Sequence, residues 1–188
     1  MKVKYLLLFF IPLFIILLNL NLLIFNDNFY KFDNKDVNKN LLNYFKDKED
    51  LKFNYTEREL IHLHNVKNLV RMLDIIVYAL AFFILLILIF NKKDIFDVLM
   101  ISGAITIAIT LILVFFSFDL LFTKFHEALF LNDYWLLDEG TLLIKTYPIE
   151  FFTGFFKRLI LNIMISSLIL IIIGVVKYVY TQHKPGSG

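Results

Sequence analysis

The chain has 188 residues, 59% of them hydrophobic, with 22 phenylalanines and a formal net charge of only +2. Soluble domains are about 45–50% apolar, so this composition, with a mean hydropathy of +0.72, excludes an ordinary soluble protein, and the near-neutral balance argues against nucleic acid as a partner. The absence of cysteine excludes a disulfide, a thiolate nucleophile and a cysteine metal site.

The apolar residues are gathered into long runs, the mark of an integral membrane protein. The expected fold class is an all-α membrane protein with four transmembrane helices, at about 5–25, 72–90, 95–118 and 158–177. Two outward connections, about 26–70 and 119–157, are expected to form an extracytoplasmic cap. Residues 1–184 then make a single four-span membrane domain, with 185–188 as a flexible tail.

In chain order, Lys2 and Lys4 precede the first apolar run, and no small-residue cleavage site follows it. It reads as an anchor helix rather than a secretory signal, with Pro12 as a point for a kink. Residues 26–52 are rich in Lys, Asp and Asn and read as a solvated loop. Tyr30, Phe32, Tyr44, Phe45, Phe53 and Tyr55 argue that part of this connection packs down at the membrane interface. Thr56 and Glu59 have capping-box spacing, so a helix starts there and runs unbroken into the second span. Ser102-Gly103-Ala104 is a small-residue patch suited to close helix contact.

Short-loop positive charge sets the orientation. Lys2, Lys4, Lys92, Lys93, Lys177 and Lys184 mark cytoplasmic points, so both termini are expected inside. His62, His64 and His126 then fall in the outward connections, while His183 lies in the inner tail and is set aside. Arg58 and Asn65 share the helical face of His62, with Glu59 also in reach, and Asn65 or Glu59 is a candidate to hold one imidazole nitrogen. His64 lies about 200° around the helix from His62, which weakens a chelating reading.

The other connection is dominated by residues 125–152, too mixed in polarity to span a bilayer and too apolar for an ordinary soluble loop. Phe122, Phe125, Leu129 and Phe130 flank His126 at helical spacings. A lone histidine among apolar residues is either a hydrogen-bonded structural residue or a base kept neutral by burial. Tyr134 and Trp135 read as an interfacial aromatic belt or as walls of a site. Pro148 suits the first turn of a short helix along the headgroups, with Gly154 bending the chain into the fourth span. There is no phosphate-binding glycine loop, no serine elbow and no pair of acids inside a span.

Phe125-His126, Phe130, Trp135-Leu136-Leu137-Asp138, Leu143-Ile144, Pro148 and Phe151-Phe152, together with Glu59, His62-Leu63-His64-Asn65-Val66 and Lys67, resemble the two motifs of the lipoprotein intramolecular transacylases, Lit. The resemblance covers about residues 55–155. It departs at Asn65, where the family pattern has Asp, and at Glu139-Gly140-Thr141-Leu142, which lacks the family's Pro and second Asp.

The resemblance implies a bacterial cytoplasmic membrane enzyme with its active site facing outward. Its substrate is a diacylglyceryl-modified lipoprotein, and membrane lipid surrounds it. The sn-2 acyl chain moves from the glyceryl oxygen to the α-amine of the N-terminal cysteine, giving the lyso-form. His62 and His126 become the paired catalytic histidines, with Asn65, Arg58, Phe125, Phe130, Trp135 and Asp138 binding or orienting substrate. Because the amine is tethered to the ester, no enzyme nucleophile is needed. What is needed is a deprotonated amine, a stabilised oxyanion and a proton for the departing oxygen. The expectation is His126 as base and His62 as acid or oxyanion donor, with the reverse order open and Arg58 as one further oxyanion candidate. No metal or cofactor is expected. Zinc on His62, His126 and Glu127 is the alternative considered. The competing readings are another membrane acyl-group enzyme acting on phospholipid or wall lipid, and a non-enzymatic membrane scaffold.

Overall fold

The structure, a computed structural model, describes residues 2–26, 29–30, 34–90 and 94–182. Phe32, Lys92, Lys93, His183, Lys184 and the 185–188 tail lie outside the described residues. The described chain is all helix, turn and loop. Its helices are α1 (Lys2–Ile24), α2 (Lys35–Phe45), α3 (Glu57–Phe90), α4 (Ile95–Val114), α5 (Phe118–Leu129), α6 (Leu142–Thr146) and α7 (Ile149–Gln182). Four of them, α1, α3, α4 and α7, are long and apolar enough to cross a membrane.

The capping box starts α3. The Glu59 carboxylate accepts from the Thr56 N–H at 2.7 Å and its hydroxyl at 2.8 Å, and the Glu59 N–H donates to the Thr56 hydroxyl at 3.3 Å. The helix then runs for 34 residues, about 50 Å at the standard rise and well beyond a hydrocarbon core of about 30 Å. α4 stops at Val114, short of the end of the apolar run at Phe118. The Ser117 hydroxyl accepts from the Leu120 N–H and caps α5 there, so the apolar run conceals a helix break. Pro148 immediately precedes α7, which continues through Gly154 without a separate short helix. A single glycine inside a long helix costs only about 1 kcal/mol, too little to end one.

Contacts divide the chain into two compact units. The first comprises residues 1–20, 76–115 and 159–188. Its core joins Leu7, Ile11 and Ile15 on one stripe of α1 with Ile84, Val98 and Ile163. Its outward surface is apolar, with Phe82, Leu85, Ile89, Ile112, Ile172 and Val176 exposed. α4 and α7 approach at the backbone: a Cβ on Gly103 would meet the Ser167 carbonyl at 2.6 Å, and one on Gly174 would meet the Phe96 carbonyl at 2.7 Å. The hydroxyls of Thr106, Thr110 and Ser167, all buried, donate to carbonyls one turn earlier, at 2.8, 2.7 and 2.7 Å. Asn19 ties α1 to Ser166 of α7 at 3.2 Å.

The second unit comprises residues 21–75 and 116–158. Val37, Leu41, Tyr55, Leu63, Leu143, Tyr147 and Phe151 form its core, with Phe29, Tyr30 and Phe155 packed against it. The polar stretch read as a solvated loop contains α2, which turns Val37, Leu41 and Leu42 inward. Its buried asparagines are fastened by hydrogen bonds rather than solvated. Asn38 accepts from the Tyr147 hydroxyl at 2.5 Å, and Asn40 bonds the Asp50 carbonyl and the Lys52 N–H, each at 2.9 Å. Asp47 bridges to Lys67 at 2.8 Å and to Arg71. The Arg71 and Lys67 cations hold its carboxyl down at about 2.

Candidate active site

The two histidines singled out in the sequence meet in the second unit. His62 comes from the second turn of α3 and His126 from the last turn of α5. Their ring centroids are 6.3 Å apart and their planes are inclined by 31°. Phe130, buried, stands beside both, 5.3 Å from His62 and 5.6 Å from His126. The His126 ring is further enclosed by Phe122 at 4.2 Å, Trp135 at 4.9 Å and Phe125 at 5.6 Å. α5 can supply this wall because Phe122, Phe125 and His126 recur at helical spacing.

The His126 tautomer follows from one contact. Its Nδ1 lies 2.7 Å from the Phe122 carbonyl. A carbonyl only accepts, so Nδ1 carries the hydrogen and the neutral ring keeps its lone pair at Nε2. Burial holds the His126 pKa below the ordinary histidine value, with the Phe122 hydrogen bond opposing part of that shift. The ring is therefore neutral near pH 7, with a basic Nε2. On His62, Nδ1 is buried without a hydrogen-bond partner among the described residues, as is Nδ2 of Asn65 one turn on.

The remaining sequence candidates separate. Glu59 does not hold His62. Its carboxylate accepts from Thr56 and, at 2.7 Å, from the Leu143 N–H. Asn65 is on the His62 side of α3 but makes no hydrogen bond to Nδ1. Arg58 is engaged by backbone: Nε donates to the Leu136 carbonyl at 2.9 Å and Nη2 to the Asp133 carbonyl. Asp138 is exposed and acts through its own carbonyl, which accepts from Thr141 N–H and hydroxyl at 3.0 and 2.7 Å. His64 is exposed, as its angular offset from His62 requires. Glu127, the third donor considered for zinc, pairs with Lys124 at 2.7 Å. Among the described residues no three His, Asp or Glu side chains cluster as a metal site.

Two roles were not read from sequence. The Phe122 carbonyl fixes the His126 tautomer, and its position one helical turn earlier was the available signal. Glu59 fastens α6 by capping the Leu143 N–H, across a sequence distance that no local pattern reports.

Fold and site together define an all-α, multi-pass integral membrane protein with a paired-histidine site. A family model for the lipoprotein intramolecular transacylase Lit matches residues 34–152, more than half of the chain. The chain belongs to this Lit family and is an intramolecular acyltransferase of lipoproteins. The structure of the membrane integral lipoprotein intramolecular transacylase Lit from Bacillus cereus is similar at 21% identity and a TM-score of 0.83, over 98% of this chain and 97% of that one. Two structures of variants of that protein also match. One, with a histidine replaced by arginine, has 22% identity and a TM-score of 0.80 over 97% and 94% of the two chains. The other, with a histidine replaced by alanine, has 21% identity and a TM-score of 0.81 over 96% and 94%. No curated protein matched the sequence.

Proposed function

We propose that this chain moves the sn-2 acyl chain of a diacylglyceryl lipoprotein to the α-amine of its N-terminal cysteine, with His126 as base and His62 as its partner. The observation that carries the assignment is the facing pair itself, with the Nδ1 hydrogen of His126 committed to the Phe122 carbonyl. The amine nitrogen attacks the ester carbonyl and gives its proton to Nε2 of His126. The oxyanion is met by a donor, for which His62 is the candidate. Collapse breaks the bond to the glyceryl oxygen, which takes up the proton held at Nε2 of His126 and leaves that ring neutral again. An ester and an amine become an amide and an alcohol, with no change in total mass.

A chain's α-amino group has a pKa of about 7.7–8.0, so a neutral base beside it at pH 7 matches the need. Holding amine and ester together supplies about 7–11 kcal/mol in well-oriented cases, which explains how the reaction proceeds without an enzyme nucleophile. The aromatic wall of Phe122, Phe125, Phe130 and Trp135 suits acyl chains and limits hydrolysis of the ester by excluding water. In this reading the membrane spans are about 72–90 in α3 and 158–177 in α7. Both termini are cytoplasmic, and the histidines lie on the outward side.

The test uses purified protein with a synthetic diacylated lipopeptide, or with phospholipid alone. The proposal expects conversion of the lipopeptide to an N-acylated product of equal mass, and no fatty acid or lysolipid from phospholipid. Acyl release from phospholipid without lipopeptide favours the other acyl-enzyme reading.

A further inference from the structure

Arg58 is exposed in the first turn of α3, one turn ahead of His62. Its guanidinium bonds the carbonyls of Asp133 and Leu136 and lies over the Tyr134 ring at 5.5 Å. These contacts grip a four-residue bend. The remaining member of that bend is Trp135, whose ring lies 4.9 Å from His126. The neighbouring Glu59 is fully buried and grips the Leu143 N–H further along. The 133–143 segment is thus held at both ends by adjacent residues of the helix that carries His62.

Beside Arg58, the bend is flanked by Leu137, which packs against the core of the second unit, and no helical ladder supports it. Residues 130–141 form no helix. Their own bonds are local, such as Leu136 N–H to the Asp133 carbonyl at 3.1 Å and Thr141 N–H to the Asp138 carbonyl at 3.0 Å. Such turns are weak alone, whereas a charged donor spanning two carbonyls is a strong and geometrically specific contact. With two N–H groups committed to backbone, Arg58 is also poorly placed to act as the oxyanion donor considered from sequence.

We propose that Arg58 is a positioning residue that holds the 133–136 bend against α3 and thereby seats Trp135 on His126. The consequence for catalysis rests on the transacylation reading, and the geometry does not. Glu59 is the buried staple of the same device. Arg58 is exposed, so its removal leaves no buried cavity and tests the device more cleanly.

Trp135 is the only tryptophan in the chain, so intrinsic fluorescence reports its seating directly. The full chain in detergent is compared as wild type, Arg58→Ala and Arg58→Lys. Emission maximum and acrylamide quenching are read beside kcat and KM on a diacylated lipopeptide. Arg58→Ala is expected to red-shift the emission, raise quenching and lower kcat roughly ten- to a hundredfold, as small misplacements do, with KM less affected. Arg58→Lys keeps the charge but not the two-carbonyl fork, and is expected between the two on both readouts. Wild-type emission in Arg58→Ala overturns the proposal. So does shifted emission with wild-type kcat, or lost kcat with unshifted emission. If Arg58→Ala does not accumulate, the lysine variant decides, because emission and kcat must move together. An inactive wild type counts against the transacylation reading, while the emission of the variants still decides the clamp.

Discussion

The imidazoles of His62 and His126 face one another at 6.3 Å between centroids, carried by helices that lie far apart in sequence. That proximity makes protonation of both at once unfavourable, and His126 adds to the burial that lowers the His62 pKa. In the proposed mechanism the pair acts as a unit. His126→Ala and His62→Ala are each expected to lower kcat by about 10²–10⁴, the usual contribution of a positioned acid or base. The double variant should be little slower than the slower single one, because members of one constellation are not additive. Single-turnover rates on a diacylated lipopeptide check this. Fully additive losses would show that the histidines act independently.

The pH dependence follows from the direction of the His126 shift. Burial lowers its pKa, so the ring is mostly neutral at pH 6.5, the ordinary histidine value, and the midpoint of its protonation lies below that pH. The substrate amine imposes a separate loss below its own pKa of about 7.7–8.0. A plot of log kcat against pH should therefore hold a slope near one through pH 6.5 and steepen only below it. Opening the pocket with Trp135→Ala should move the steepening upward. A break at or above pH 6.5 in the wild type would contradict a desolvated His126.

Glu59 offers a stability test. Its two carboxylate oxygens accept from three donors, on Thr56 and Leu143. Gln has one acceptor oxygen and turns an NH₂ towards a donor. Glu59→Gln is expected to destabilise by about 1–3 kcal/mol, the cost of a buried unsatisfied group. Thr56→Ala should cost about 0.5–2 kcal/mol as a lost N-cap. Denaturation in detergent, followed by Trp135 emission, measures both.

The glycines separate by their surroundings. A Cβ on Gly103 meets backbone at 2.6 Å, so Gly103→Ala forces α4 from α7 and is expected to cost about 1–3 kcal/mol. A Cβ on Gly154 meets nothing within 4 Å, so Gly154→Ala should stabilise α7 by about 0.5–1 kcal/mol. Opposite shifts in unfolding midpoint are the expected outcome, and equal shifts would count against the close α4–α7 approach.

What the sequence disclosed was what periodicity and short motifs carry. The apolar runs announced the four long helices, and Thr56 with Glu59 announced the start of α3. Ser102 and Gly103 announced the close helix seam, though Ala104 beside them is exposed. α2 was hidden because Asn38 and Asn40 read as solvated residues, although both are buried and bonded to distant backbone or side chains. α6 was hidden because five residues have little helical preference of their own, and the Glu59 contact that caps it comes from a remote stretch. The two histidines were legible through their motifs. The hold of Arg58 on the carbonyls of Asp133 and Leu136 was not, since a backbone acceptor leaves no side-chain signature.

The most direct measurement is mass spectrometry of the N-terminal peptide of a diacylglyceryl lipoprotein co-expressed with this protein, as wild type or as His126→Ala. The account predicts an N-acylated, S-monoacylglyceryl cysteine at unchanged total mass with wild type. It predicts the untouched diacylglyceryl, free-amine cysteine with a His126→Ala protein that accumulates normally. A free-amine, diacylglyceryl cysteine in the presence of well-expressed wild type would contradict the central claim, and full conversion by His126→Ala would contradict the role given to that histidine.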